Sequence, residues 1–246
     1  MLRGGPRVGR PLLLTIPLRR RALAEALGTG LLVVAVVGSG IAAQRLSPAD
    51  AGLQLLENAA ATAAALIAII LAVGPVSGGH LNPVVTLADR VLGRLSTAEA
   101  ATYVGAQVVG GVVGTIVANL MYSLPPVELS TTARSSAGLW LGEVVATFGL
   151  IFLVIALLRS GRTALAPFAV GAYIGGAYFF TSSTSFANPA VTVARALTDT
   201  FAGIAWRSVP VFVVAQVAGT GLALVVARAL YPPATAALPR VEEINA

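Results

Sequence analysis

Two asparagine–proline pairs, Asn82-Pro83 and Asn188-Pro189, are the residues of this sequence best suited to contact a passing solute. Asparagine is a preferred residue just before a helix, and proline is tolerated at the first helical position because its missing N–H would have no partner there. Each pair therefore predicts a helix start, with partial positive charge and spare amide donors. Two such ends brought together favour neutral hydrogen-bonding solutes over cations and protons.

The two pairs belong to an internal repeat. Three motifs recur in the same order, at offsets of 118, 106 and 109 residues: Glu25-Ala26-Leu27-Gly28-Thr29 with Glu143-Val144-Val145-Ala146-Thr147, Asn82-Pro83-Val84 with Asn188-Pro189-Ala190, and Ala106-Gln107-Val108 with Ala215-Gln216-Val217. Each half has three long apolar runs, an odd number, so the second copy is inverted relative to the first. Inverted repeats place discontinuous helices near the membrane midplane. A single Asn-Pro would indicate only a turn, but two equivalent copies indicate a pore constriction.

The composition is typical of a membrane protein. The chain of 246 residues is 57% hydrophobic and 11% charged, with a mean hydropathy of +0.86, whereas a soluble domain has about 25% charged residues. Six apolar runs have near-spanning length: 22–43, 53–73, 98–122, 139–158, 164–180 and 208–231. Segments 82–91 and 188–197 are too short to span, and they can lie at membrane depth only if protein buries them or they line a water-filled cavity. We therefore expect an all-α membrane protein with six transmembrane helices plus two re-entrant half-helices.

The arginines predict the orientation. All 16 basic residues are Arg, and the formal charge is +6. With an even number of spans, twelve arginines lie on the side of the termini and four on the other side, and the arginine-rich side is cytoplasmic. We expect a basic cytoplasmic tail at 1–21, one membrane domain at 22–232 with repeats at about 22–122 and 139–231, and a cytoplasmic tail at 233–246. The basic tail implies contact with anionic lipid rather than nucleic acid.

Several kinds of chemistry are excluded. The sequence has no cysteine and one histidine, His80, so disulfides, thiolate sites and multi-histidine metal sites are ruled out. Glu25 and Glu143 lie in apolar runs without a Ser, Cys or His partner that would form a nucleophilic site. We therefore expect that the protein is not an enzyme and that it binds no cofactor and no metal. A structural or adhesive membrane protein is a remote alternative, because the predicted external loops are short.

The run Ser77-Gly78-Gly79-His80-Leu81-Asn82-Pro83-Val84, the second Asn188-Pro189-Ala190 and the repeated Glu and Gln resemble the major intrinsic proteins, the aquaporin and aquaglyceroporin channels. The resemblance covers roughly residues 20–232. It implies an aquaporin-like inverted repeat, a right-handed bundle of six tilted helices and two half-helices, one pore per subunit and a homotetramer. The segment 179–195 is also similar to a bacterial subgroup associated with arsenic resistance, which implies the bacterial inner membrane.

The resemblance implies roles for individual residues. The pore asparagine motifs are Asn82, Pro83 and Val84 in the first half and Asn188, Pro189 and Ala190 in the second. Glu25 and Glu143 match glutamates that hold the re-entrant loops by accepting backbone hydrogen bonds. His80 matches a loop histidine, for which loop bracing and pore lining are equally supported.

Counting without gaps from the two asparagines places the family's selectivity ring on Thr62, Gly176, Ser185 and Val191. Most members have Arg where this chain has Val191, so we expect a wide, uncharged ring without an aromatic residue. Arg195, four residues further on, either replaces the missing charge or holds the loop by bonding carbonyls or Asp199. Val84 stands where the family usually has Ala, and we expect it to narrow or reshape the midplane slightly.

These expectations predict a passive channel for small neutral solutes. A wide ring without charge admits trivalent metalloids (arsenite and methylarsenite) and glycerol, together with water. The alternative is a mainly water-selective channel, which requires another residue, such as Arg195, to close the ring.

Overall fold

The computed structural model describes residues 16–231, and this part of the chain is helical with no strand. Six long helices are α1 (Leu18–Leu46), α2 (Ala51–Ser77), α4 (Thr97–Met121), α5 (Ala137–Arg159), α6 (Ala166–Phe180) and α8 (Val209–Leu230), and two short helices are α3 (Pro83–Val91) and α7 (Pro189–Arg195). The six long helices are long and apolar enough to cross a membrane, when α6 and α8 are counted together with the 3-10 turns before them. The predicted fold class of six transmembrane helices and two half-helices is confirmed.

Capping residues set several helix starts. The Asp50 carboxylate accepts a hydrogen bond from the Leu53 amide (2.9 Å) at the start of α2. Ser96 and Glu99 form a reciprocal capping box at the start of α4. Such side chains satisfy backbone N–H groups that have no partner within the helix. The starts of α2 and α4 are therefore fixed by side chains at their own N-termini.

The first helix begins earlier than expected. Because α1 starts at Leu18, Arg19, Arg20 and Arg21 belong to a helix, and the expected tail boundary at residue 21 is wrong. Arg21 is buried, pairs with Glu99 of α4 and lies 5.7 Å from the centre of the Tyr103 ring. These contacts stabilise an additional turn. The rest of the expected N-terminal tail up to residue 15, and the tail at 233–246, lie outside the described residues.

The two halves pack in the same way. In the first half α1 packs closely on α4, and in the second α5 packs closely on α8. A side chain at Gly110 would collide with the Ala26 carbonyl, and one at Gly219 would collide with the Val144 carbonyl. Glycine at these two positions lets the helix backbones approach each other. Helices α2 and α6 join the halves, where Gly171 leaves room for Ile67.

Candidate functional site

The starts of the two half-helices meet in the middle of the molecule. Asn82 caps α3 by accepting from the Val84 amide (3.0 Å), and Asn188 caps α7 by accepting from the Ala190 amide (3.0 Å). The Asn82 amide donates to the Ala187 carbonyl (2.7 Å), and the Asn188 amide donates to the Leu81 carbonyl (2.8 Å). Each asparagine thereby ties its own helix to the loop before the other. One N–H of each side-chain amide remains for a solute.

The loop before α3 is held by Glu25, which is fully buried on α1. Its carboxylate accepts from the backbone amides of His80 (3.0 Å) and Leu81 (2.7 Å). It also accepts from the Ser77 hydroxyl (2.6 Å) and the Gln107 amide (2.7 Å). Four donors around one carboxylate compensate for its burial in the membrane.

The loop before α7 is held by Glu143 in the equivalent way. This carboxylate accepts from the backbone amides of Phe186 (2.9 Å) and Ala187 (2.9 Å) and from the Gln216 amide (2.6 Å). Gln216 also donates to the Thr192 hydroxyl (2.9 Å). These contacts are those expected for the two glutamates, and the glutamines extend them to the half-helices.

One large cavity of about 1160 Å³ passes both asparagines. Its lining extends from Asp89 and Arg94 past Asn82 and Asn188 to Arg195. We call these extremes the Asp89 end and the Arg195 end. One part of the wall is polar, from the asparagines and loops, whereas the rest is mainly apolar, from Leu32, Val36, Leu66, Val154 and Ile174. The arrangement is a path through the bundle with a hydrogen-bonding side and an apolar side.

The structure brings together three of the four predicted ring residues. Thr62, Ser185 and Val191 line the cavity near the Arg195 end, and their exposed fractions are 2%, 3% and 4%. Gly176 does not line the cavity and lies on an exposed face of α6. Its assignment to the ring is therefore wrong.

The fourth position is occupied by Tyr178. Val170, Ile174 and Tyr178 face the cavity at four-residue spacing, whereas Gly176 is about 200° around the helix from Ile174. The Tyr178 hydroxyl lies 3.2 Å from the Thr62 hydroxyl and hydrogen bonds with it. The expectation of a ring without an aromatic residue is wrong, and the ring is narrower than four small residues would make it.

Val84 does not face the cavity. It is 1% exposed and packs with Ala88, Ile151, Ala223 and other apolar residues of the bundle. The expectation that it narrows the midplane is wrong, because its side chain lies on the face of α3 that contacts the long helices.

His80 lines the cavity and also braces the Asp89 end. Its Nδ1 lies 3.1 Å from the Thr86 hydroxyl, and its Nε2 lies 3.4 Å from the Asp89 carboxylate. Asp89 also accepts from Arg94 at 2.9 Å. The two interpretations of His80 are therefore compatible, because its backbone is held by Glu25 while its ring contacts the cavity.

Arg195 holds the loop after α7. Its Nε donates to the Ala202 carbonyl, and its guanidinium carbon lies 3.4 Å from the centre of the Phe186 ring. Asp199 instead accepts from the Thr131 amide (2.9 Å), so the expected alternative pairing of Arg195 with Asp199 is wrong. Arg195 also lines the cavity, beside the ring.

Known proteins are similar to this chain in sequence. The family model described as "Major intrinsic protein" matches residues 13–185, which is more than half of the chain. The chain belongs to the major intrinsic protein family. An aquaglyceroporin of Rhizobium meliloti, AqpS, is 50% identical over 88% of this chain and 92% of its own length. A probable aquaporin of TIP-type alpha from Phaseolus vulgaris is 32% identical over 84% of this chain and 83% of its own length.

A solved structure has the same fold. The aquaglyceroporin from Plasmodium falciparum superposes with a TM-score of 0.67 and 21% identity, covering 89% of this chain and 98% of that one. Membership of the major intrinsic protein family makes this chain a multi-pass membrane protein and a channel for small neutral solutes and water, not an enzyme.

Sequence reasoning missed two residues near the ring of this major intrinsic protein. Tyr178 could have been found from the four-residue spacing of Val170, Ile174 and Tyr178, which an ungapped count ignores. Arg134, in the loop between α4 and α5, lies 5.1 Å from the Phe186 ring centre and donates to the Gly203 carbonyl (3.0 Å). Burial lowers the pKa of its guanidinium, and the Glu143 carboxylate opposes that shift. No sequence signal indicated its position.

Proposed function

We propose that this channel conducts small neutral solutes that carry hydroxyl groups, namely arsenite, methylarsenite and glycerol, together with water. The ring carries the proposal, because it combines the hydroxyls of Thr62, Tyr178 and Ser185 with the apolar side chain of Val191. The Ser185 hydroxyl is buried and has no hydrogen-bond partner within residues 16–231. It therefore has a donor and an acceptor for a solute. The similarity to a bacterial aquaglyceroporin supports the same class of solute.

The remainder of the cavity supports this proposal. A polyol has hydroxyls on one side and carbon-bound hydrogens on the other. The asparagine amides can bind the first side, while Leu32, Val36 and Leu66 contact the second. An apolar wall also gives no compensation for the desolvation of an ion. Neutral amphipathic solutes therefore fit the path better than ions do.

The test is stopped-flow light scattering on proteoliposomes, with water, glycerol and arsenite entry measured for the native chain and for Val191→Arg. We expect rapid entry of all three in the native chain. We expect the arginine to fill the ring and reduce glycerol and arsenite entry by at least about ten-fold. Gly176→Ala is the matched control, because its new methyl group lies off the cavity in ordinary contact with Phe180 at 3.8 Å. Native liposomes that conduct water but neither solute would overturn the proposal.

The second candidate is a mainly water-selective channel. The hydrogen bond between Thr62 and Tyr178 favours it, because the bond narrows the ring. Under this alternative, water is fast and both larger solutes are excluded in the native chain and in Val191→Arg alike. The same experiment therefore separates the two functions.

We further propose a homotetramer in the bacterial inner membrane, with both termini and the Asp89 end in the cytoplasm. The count of arginines on the two sides supports the orientation. Since the chain lacks cysteine, a single introduced cysteine reports its side of the membrane. An impermeant maleimide should label Ser135→Cys in intact cells and should not label Ser160→Cys. Native mass spectrometry of the detergent-solubilised protein tests the tetramer.

A further inference from the structure

Two guanidinium groups lie against one buried aromatic ring beside the constriction. Phe186 is 4% exposed, and the guanidinium carbons of Arg195 and Arg134 lie 3.4 Å and 5.1 Å from its ring centre. Arg195 is 2% exposed. A cation held over an aromatic face is attracted by the electrons of the ring. Phe186 therefore fixes positive charge at this end of the path.

Neither guanidinium forms a direct ion pair with an acid in the part of the chain that the structure describes. Within residues 16–231 the ion pairs are Arg21 with Glu99, His80 with Asp89, and Arg94 with Asp89. Arg195 donates to the Ala202 carbonyl and Arg134 to the Gly203 carbonyl, which are neutral acceptors. The nearby carboxylate of Asp199 accepts instead from Thr131. The Glu143 carboxylate interacts with both guanidinium groups without pairing directly with either. Two guanidinium groups against one carboxylate leave the Arg195 end with net positive charge.

The repeat shows that this charge belongs to one end only. At the offset of 106 residues that relates the two asparagines, Arg195 corresponds to Asp89, and Phe186 corresponds to His80. Asp89 contacts His80 at 3.4 Å and Arg94 at 2.9 Å, so the acid at its end is paired. Equivalent places in the two halves thus carry opposite charges, and only the positive one lacks a direct ion pair among the residues described.

We propose that Arg195 is the residue that excludes cations at the ring, which Val191 leaves without charge. Arg195 lines the cavity together with Ser185 and Val191, so its field acts on a solute in the constriction. Charges interact more strongly in a narrow path with apolar walls than in bulk water. A cation is repelled there, whereas a neutral solute is not. This inference rests on the proposed channel function, and it assigns cation exclusion to a residue one helical turn beyond the ring.

The experiment measures the ratio of cation to water permeability in proteoliposomes. Potassium flux is driven by a set diffusion potential and followed with an internal fluorescent indicator, and water flux is measured on the same vesicles. We expect Arg195→Gln to raise the ratio at least about ten-fold and Arg195→Lys to keep it close to native, because lysine retains the charge. Arg207→Gln is the matched control, since Arg207 is exposed and does not line the cavity.

A second variant separates charge from loop structure. In the double variant Val191→Arg, Arg195→Gln, a guanidinium returns to the ring while the contacts of Arg195 stay absent, and we expect the low native ratio. An Arg195→Gln ratio equal to the native ratio would overturn the proposal, as would a raised ratio that neither Arg195→Lys nor the double variant corrects. Failure of the proposed function is a separate result, in which native vesicles admit neither glycerol nor arsenite.

Discussion

The two re-entrant loops have the same backbone conformation but different side chains. At the offset of 106 residues, the φ angles of Gly78 (94°), Gly79 (62°) and Leu81 (52°) correspond to those of Thr184 (61°), Ser185 (52°) and Ala187 (46°). Each loop donates two backbone amides to a buried glutamate, which also accepts from a glutamine side chain. The backbone frame is therefore kept in both halves, even where non-glycine residues must adopt left-handed angles to keep it.

The side chains that differ between the loops are those near the cavity. His80 corresponds to Phe186, and each ring packs edge-on against an aromatic residue of a neighbouring helix: Tyr103 at 5.4 Å for His80 and Phe212 at 5.3 Å for Phe186. Asp89 corresponds to Arg195. The frame is therefore symmetric, while polarity and charge are not. A solute meets the same arrangement of asparagines from either side but a different end of the path.

Removal of either glutamate charge should have the largest effect. Glu25→Gln and Glu143→Gln each replace one acceptor oxygen with an NH₂ group. This donor then faces the N–H donors of the backbone and side chains. We expect each to lower the free energy of unfolding by about 3–5 kcal/mol, as for a broken buried ion contact, and to abolish transport. Thermal unfolding of the solubilised protein is the measurement, with Glu128→Gln, at an exposed loop position, as control. If Glu143→Gln were stable and active while Glu25→Gln was not, the two glutamates would not be equivalent.

A methyl group at Gly79 should have the next largest effect. The new Cβ would lie 3.3 Å from the Gly74 Cα, in a residue with φ of 62°. Left-handed backbone costs a non-glycine residue about 1–2 kcal/mol. Gly79→Ala should therefore destabilise the protein by about 1–3 kcal/mol. Gly105→Ala is the control, since Gly105 lies in a helix with open space around it. If Gly79→Ala has the same unfolding temperature as the native chain, the first loop tolerates a side chain as well as the second does.

Truncation of Tyr178 tests the narrow end of the path. Tyr178→Ala removes the aromatic ring and the hydrogen bond to Thr62, so glycerol entry should rise several-fold, equivalent to about 1 kcal/mol in the barrier. Stopped-flow glycerol entry relative to water entry is the measurement. Phe179→Ala is the control, because the neighbouring Phe179 is 53% exposed and lies off the cavity. An unchanged ratio would mean that the ring is not where solutes are selected.

The frame of this fold could be predicted from its sequence because physical limits fix it. The thickness of the bilayer sets the length of six apolar runs, and the Asn-Pro pairs mark the starts of α3 and α7. The contacts of Glu25 and Glu143 were predictable in kind, since a carboxylate buried in the membrane needs donors and the loops have unpaired amides. The extra turn of α1 was not predictable, because it depends on contacts of Arg21 with a distant helix.

The ring was predicted less well, for a reason that its residues show. Thr62, Ser185 and Val191 line the cavity together, but Gly176, which is placed by counting back from Asn188 through a loop of assumed length, does not. The helical period of α6 identifies Tyr178 instead, from its spacing to Ile174. Arg134 lies in a loop without a period, so its contact with Phe186 depends on tertiary packing alone.

The smallest predicted effect concerns the strained positions of the second loop. Thr184 has φ of 61°, and a β-branched residue is disfavoured there, whereas its counterpart Gly78 is not. Thr184→Gly relieves about 1–2 kcal/mol of strain but adds about 0.4–1 kcal/mol of unfolded-state entropy, so we expect a net gain in stability of up to about 1 kcal/mol. Chemical or thermal unfolding measures it. Ser135→Gly, in an exposed loop without positive φ, should instead lose stability, because only the entropic part applies. Equal losses in both variants would show that the second loop is unstrained and that its side chains are as well accommodated as the glycines of the first.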